Sequence, residues 1–554
     1  MRCSVSGVGR RPTAGFGYNF GFMILFFCFL AGCGDTRQAE SEKKEAASVV
    51  GGVYRIPLLN NPKNFDPIRA EDQYSTAVVY QLFDGLVRFS PDLLVIPALA
   101  ESWRIGESGT VYRFLLREKA YFHNGKPITS GDVLFSLARL IKADPAPTIL
   151  PYMLKIQGAD EYRSGQADDL PGVRVINERE IEIRLKEPSA PFLAALGMHQ
   201  TRIVPRDEVV SRGERFGENP VGSGPFAFVS WESNRSVRLK RFPEYYSGSA
   251  FLDEIEYVIY PGGKFEEVFG DFRKHRLHEM PAYDGKIRNR LLAIQGIKLV
   301  QRPSVSLQFY GMNCRDPVLS QPALRRALSL AIDRRRLSSE VYGGRFELAR
   351  SLIPPGILGY NPEKHTIEED FSKAKEELRS LFPADFSHGL SLEIVSSIQS
   401  PVAIAEFEYI AECWKELGIT LRPKFIPNWA EFEQYIQSPE MQIYRYVWYM
   451  DIPDPDNILR VLFGSNSNVN YIRYENEEAD RALLAGQLML NPVERAKIYQ
   501  GIETLITREM PIIPLVHLNI DQAYQSDVNG IELNALGRHK SSLYQVWLSP
   551  GTNK

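Results

Sequence analysis

Three carboxylates crowd one short stretch of this 554-residue chain: Asp451, Asp454 and Asp456, within residues 448–457, WYMDIPDPDN. The run before them, 443–447, has the alternation and the β-branched or aromatic content of a strand. Pro453 and Pro455 then remove amide donors and fix φ, so neither ladder nor helix continues through them. The acids must sit on a rigid turn at the strand's mouth, beside Trp448 and Tyr449. A fixed anion next to free backbone can hold an ammonium while the group that carries it pairs with a sheet edge. A second reading makes this an Asx-type turn whose carboxylates cap a helix over 458–463.

Other chemistries fit less well. Ser223 lies between Gly222 and Gly224 in NPVGSGPF (219–226), but Val221 and Pro225 spoil the pattern of a nucleophile elbow. With His199 or His517, and Asp451 or Asp454, Ser223 is nevertheless the best the chain offers to a hydrolase. No Gly-Lys-Ser/Thr follows these glycines, and no His-Glu-x-x-His helix is present. Of eight histidines only His275 and His278 are close in sequence, and they read as a solvated pair rather than metal ligands. The expectation is therefore binding without turnover, with no metal and no cofactor.

The whole chain bounds these readings. At 554 residues it exceeds one core and should fold as two or three domains. Hydrophobic residues make up 44%, charged residues 24%, and the net charge is −3, so no nucleic-acid-binding surface is expected. Arg2, Arg10 and Arg11 precede an apolar stretch over about 20–32, the length of a signal h-region and short for a bilayer span. It ends in Leu30-Ala31-Gly32-Cys33, which resembles the bacterial lipobox, with the Cys33 thiol as lipid acceptor. A membrane anchor or a cleaved secretory signal are the alternatives. Residues 34–48 are polar and charged and read as a flexible tether. Cys3 and Cys28 leave with the signal, and the spacing of Cys314 and Cys413 does not say whether they pair.

The elements that position the acidic turn come in chain order. A strand over 53–59 is followed by the turn-rich 60–67 (NNPKNFDP), then by a helix over 73–85 with Gly85 as its C-cap. Asn124-Gly125 signals a turn, and Thr129 with Asp132 forms a capping box for a helix bearing Leu134, Leu137, Ala138 and Ile141 on one face. Residues 180–186 alternate as a half-buried strand. Pro322 opens a helix with Leu324, Ala327, Leu328, Ala331 and Ile332 inward, and with Arg325, Arg326 and Arg334 to Arg336 outward. A βαβ unit comes next: strand 392–395, helix 403–417, Gly418 as stop and strand 419–426. Helix 492–508 and strand 510–517 close the series.

PALAESW, FHNGKPITSGDVLFSLARL, NPVGSGPF, ALRRALSLAIDRRRL, WYMDIPDPDN and PIIPL occur in this order over about 60–515. Together, behind a lipobox, they resemble the family 5 extracellular solute-binding proteins of bacterial ABC importers, the dipeptide/oligopeptide/nickel-binding group. The resemblance implies an α/β, two-lobed periplasmic binding protein fold, type II-like, with an extra domain inserted in the first lobe. It implies a signal peptide at 1–33, a tether at 34–48, lobe I from 49–75 with 201–303 and 515–554, an inserted domain at 76–200, and lobe II at 304–514. Crossovers near 302–306 and 515–519 would form the hinge. Asp451 would hold the α-ammonium of a peptide, at a cost of several kcal/mol for the buried acid unless it is so satisfied. Trp448 and Tyr449 would adjoin the peptide, and Asn60, Asn61 and Asn64 would face it from the other lobe. The chain departs from the family pattern at Pro62, which lacks one amide donor, and at RKHRLHEMPAYD (273–284).

The resemblance thus implies a monomeric, lipid-anchored receptor on the periplasmic side of the cell envelope, delivering peptides to ABC permease subunits. The alternative is the same scaffold with a nickel chelate, an oligosaccharide or an opine-like solute. A signalling or adhesion role on that scaffold is a further one.

Overall fold

In the computed structural model the described residues are 51–282, 285–363, 369–382 and 389–550. Cys33 and the tether lie outside them. Val53–Leu58 runs parallel to Glu254–Ile259, and antiparallel pairing extends that sheet through Ser236–Arg241 to Phe226–Glu232. Alternation fixes its faces: Ile255, Tyr257 and Ile259 are buried, whereas Glu254, Glu256 and Val258 are half-buried.

A second, antiparallel sheet joins Ala100–Gly106, Val111–Leu116, Glu180–Arg184 and Val173–Asn177. The helix Ser130–Ile141 packs against it through Val133, Leu137, Leu140 and Ile141. Its capping box forms as read from the sequence, with the Thr129 amide donating to Asp132 Oδ2 at 3.0 Å. Leu134 and Ala138 lie at the margin of that face, half-buried.

Besides two two-stranded ladders, Val87–Phe89 with Val95–Pro97 and Val528–Asn529 with Trp547–Leu548, two larger sheets meet end to end. One has three strands, in the order Glu279–Pro281, Asn519–Gln525, Ile297–Pro303. The other has six, in the order Glu347–Leu348, Ile512–His517, Ser306–Met312, Ile443–Tyr449, Leu390–Ser396, Ile419–Phe425. The last two are the parallel strands of the βαβ unit, with Pro401–Lys415 as crossover helix and Gly418 at φ +80° as its stop. The chain passes between these sheets twice, at Ser304 and Val305 and again at Leu518. The two passages are tied together. The Ser304 amide donates to the Leu518 carbonyl at 2.8 Å, the Leu518 amide to Ser306 Oγ at 3.0 Å, and His517 Nδ1 to the Ser306 carbonyl at 2.7 Å.

Two local readings are corrected. The helix Gln73–Leu82 ends before Gly85, which has no left-handed φ; a Cβ there would stand 3.3 Å from the Leu196 and Val87 carbonyls, so close packing is what selects glycine. Arg325 and Arg334 are buried rather than outward. Arg325 donates to the Leu319, Ser320, Glu509 and Met510 carbonyls, in a turn and at a helix C-terminus, and Arg334 to those of Ser329, near a helix C-terminus, and Pro514, in a strand.

Burial pushes the His517 imidazole down to about 4, below its ordinary value. The unfolded chain therefore takes up a proton here between about pH 6.5 and 4 that the folded chain refuses, so stability falls as pH falls through that window. His517→Asn should reduce the stability lost between pH 7 and pH 5 by about 2 kcal/mol, read from urea unfolding at both pH values.

Candidate ligand-binding site

The strand Ile443–Tyr449 is paired along one side for its whole length, from Ile443 opposite Met312 to Tyr449 opposite Ser306. On its other side pairing stops early, with Ile394 opposite Ile443 and Val395 opposite Tyr444. Among the described residues that edge has no strand partner from Arg445 to Tyr449, and it leads to the acidic turn.

Within the turn the three acids have different surroundings. Asp454 forms a bidentate pair with Arg495, both oxygens at 2.7 Å, and both side chains are buried. Asp456 is buried and accepts from Arg460 Nε at 2.9 and 3.0 Å and from the Tyr152 hydroxyl at 3.1 Å. Burial raises its carboxyl above the usual range, against the pull of Arg460. Asp454 Oδ1 also accepts from the Asp456 amide at 2.9 Å, at the start of the helix Asp456–Phe463. The capping reading therefore fits Asp454. Asp451 differs: its side chain is 46% exposed, while its amide is held by Asn457 Oδ1 at 2.8 Å. The expectation of a buried acid is corrected to a half-open one. Two arginine-bound neighbours anchor the turn from beneath, and Ile452 is buried in the core behind the four-stranded sheet of 100–184.

Asp451 opens on a cavity of about 590 Å³, within the size range of small-ligand sites. Residues 56–59, Gln73, Tyr74 and Ala77 line one side, and Tyr449, Met450 and Asp451 another. Arg345 and residues 536–540 complete it together with the strand around Asp521.

Its six charged groups form three pairs. Glu279 accepts from Arg538 Nε at 2.8 Å, from the Tyr54 hydroxyl at 2.7 Å and from Gln522 Nε2 at 3.0 Å. Asp521 pairs with Arg345 at 3.0 Å. Asp451 Oδ1 accepts from Lys540 Nζ at 3.3 Å, and the Lys540 side chain is only 5% exposed. His539 between Arg538 and Lys540 is pushed down to about 3, by burial first and then by those two cations, so it is neutral at physiological pH.

Of the residues singled out from the sequence, Asp451 and Tyr449 reach the cavity, and Tyr449 is 57% exposed. Trp448 does not line it; its indole donates to the Asn457 carbonyl at 3.0 Å and braces the turn. Asn60, Asn61 and Asn64 do not line it either. Asn60 Oδ1 accepts from the Asn61 amide, Asn61 Oδ1 from the Asn234 amide at 2.7 Å, and Asn64 Oδ1 from the Asp66 amide at 2.8 Å. These bonds fold the turn onto its own lobe, and the preceding residues 56–59 face the cavity instead. Glu279, Arg345, Asp521, Arg538 and Lys540 were not singled out. The one local hint is the run of three basic residues Arg538, His539 and Lys540 behind Gly537.

The other candidates are occupied. Ser223 is buried, with its hydroxyl accepting from the Asp84 amide at 3.1 Å. His278 Nδ1 accepts from the Arg55 amide at 2.8 Å, and among the described residues no cluster of histidine, cysteine and acidic side chains could hold a metal. Cys314 and Cys413 are both free thiols. Among the described residues no helix is long and apolar enough to cross a membrane.

A half-open acid over a cavity, between α/β layers joined by two strand crossovers, defines a two-lobed periplasmic binding protein fold with a domain inserted in the first lobe. The structure superimposes on that of HbpA2 from Haemophilus parasuis with a TM-score of 0.76 at 25% identity, covering 90% of this chain and 100% of that one. The family model for bacterial extracellular solute-binding proteins, family 5, matches residues 95–470, and the chain belongs to that family. It is similar to the peptide transport periplasmic protein SapA of Salmonella typhimurium, 26% identical over 527 residues, with 91% of this chain and 93% of that one covered. The dipeptide-binding protein of Escherichia coli is 25% identical over 518 residues, with 89% and 94% covered. Family 5 proteins are transport binding proteins that work outside the cytoplasm and not enzymes, and this chain is one of them.

The acids should separate on mutation. Asp454→Ala leaves the Arg495 guanidinium buried without a counter-ion, with only the Gly486 carbonyl and the Tyr499 hydroxyl to accept from it, and should cost about 3–5 kcal/mol of stability. Asp451→Asn breaks one long contact and leaves the buried Lys540 ammonium without its acid, and should cost less, about 1–3 kcal/mol. Chemical denaturation of the two variants checks the difference.

Proposed function

We propose that this protein is the lipid-anchored receptor of an ABC importer for short peptides, with Asp451 as the partner of the ligand's α-ammonium. One observation carries the reading: an acid with nearly half its surface open stands where an unpaired strand edge runs into a 590 Å³ cavity. An ammonium satisfies such an acid with charge-assisted hydrogen bonds, and the free edge from Arg445 to Tyr449 can pair with the peptide main chain irrespective of side chains. The names of the relatives from Salmonella typhimurium and Escherichia coli, which refer to peptides, support the same choice.

In this reading lobe I comprises 49–75, 201–303 and 515–554 with 76–200 inserted, and lobe II comprises 304–514. The bonded crossovers at Ser304, Val305 and Leu518 act as the hinge. Ligand contacts both lobes in the closed form and so shifts the population toward it. The closed monomer then presents both lobes to the permease subunits.

Unmodified di- and tripeptides should raise the melting temperature of the wild-type protein, and N-acetylated ones should not. In calorimetry Asp451→Asn should bind the unmodified peptides at least about tenfold more weakly, a loss of about 1.4 kcal/mol. Equal binding by variant and wild type, or binding of acetylated peptides, contradicts the ammonium role. For the anchor, mass spectrometry of the mature protein should find an N-terminal lipid-modified Cys33, and Cys33→Ala should release the protein from membranes. An unmodified thiol at Cys33 in the membrane-bound protein contradicts it.

A further inference from the structure

Two of the three ion pairs in the cavity are largely buried on both sides. Glu279 already accepts from Tyr54, Gln522 and Arg538, and Asp521 and Arg345 are both largely buried. The third pair is asymmetric. Its acid is 46% exposed and its base 5% exposed, and a single contact of 3.3 Å joins them. Among the described residues this is the only hydrogen bond of the Lys540 ammonium. The other acids of this cavity are paired elsewhere, Glu279 with Arg538 and Asp521 with Arg345, and His199 and His539 are held neutral by burial.

An ammonium arriving alone on Asp451 competes with Lys540 for one carboxylate. It then leaves a buried cation without a counter-ion, as happens when one partner of a buried pair is removed. A ligand that brings its own anion avoids this, because one ion pair becomes two. The acid and base stand 3.3 Å apart, so the two charges of such a ligand must themselves be close.

We propose that Lys540 is a carboxylate-binding, specificity-determining residue, and that the site selects ligands with an ammonium and a carboxylate on the same carbon. The ammonium lies on Asp451 and the carboxylate on Lys540, giving an alternating row of four charges. The class includes free α-amino acids and peptides joined through a side-chain carboxyl, which keep that zwitterionic head. The inference rests on the reading of Asp451 as the ammonium's partner, and it adds a second requirement to it.

Two probes differ only in this carboxylate: β-aspartylglycine carries it beside the ammonium, and β-alanylglycine lacks it. Calorimetry on the wild-type protein should find β-aspartylglycine at least about tenfold tighter. Lys540→Met should bring the two affinities together, and Lys540→Arg, which keeps the cation, should preserve the preference. Equal affinities in the wild type, or a preference that survives in Lys540→Met, overturns the proposal. So does failure of both probes to bind while ordinary α-linked dipeptides bind, and in both cases the peptide reading stands. If α-linked peptides fail as well, both readings fall. Should Lys540→Met not fold, the wild-type ratio and Lys540→Arg still decide.

Discussion

Asp451 remains available to a ligand because its two neighbours are not. The turn carries three carboxylates in six residues, and like charges at that density would repel and wander if left free. Arg495 takes both oxygens of Asp454, and Arg460 with Tyr152 takes Asp456. The turn is thereby fixed against two different elements, the helix that carries Arg495 and the short helix that carries Tyr152. Asn457 then holds the Asp451 amide, so the backbone under the acid is set while the carboxylate keeps its open side. Two buried pairs, each weak evidence for net stability, serve here to hold the remaining charge in place.

The cavity extends the same logic. Its lining balances three acids with three bases, each paired with another. A multiply bonded pair lies at Glu279 and a largely buried one, joined by one contact of 3.0 Å, at Asp521, and the longest contact lies where Asp451 meets the C-terminal segment. Loosely paired charges cost least to exchange, which is why selectivity is argued from Asp451 and Lys540. The strand crossovers beside them are extended and bonded to each other through Ser304, Ser306, His517 and Leu518. They can absorb small backbone rotations without breaking the sheets on either side.

Much of this was legible in the sequence where the signal is local. The capping box at Thr129 and Asp132, the βαβ unit with its glycine stop, and the strand, proline and acid order of 443–457 each depend on neighbours within a few residues. What could not be read was tertiary pairing. Asp451 and Lys540 are 89 positions apart, and Glu279 and Arg538 are 259 apart. Helical periodicity places Arg325 and Arg334 on the solvent side, yet each turns inward to backbone carbonyls of neighbouring turns, helix ends and a strand. The asparagines at 60, 61 and 64 were assigned by resemblance of the segment. The hydrogen bond from Asn234 to Asn61 draws that turn aside, and the cavity begins four residues earlier, at Ile56.

The central claim is that the carboxylate at 451 receives a ligand ammonium, and a crystal structure of the protein grown with a bound short peptide tests it most directly. The account predicts the peptide's terminal nitrogen within about 3 Å of an Asp451 oxygen, with its main chain along the free edge of residues 445–449. A peptide bound in the cavity with its ammonium elsewhere, and the contact between Asp451 and Lys540 unchanged, would contradict it.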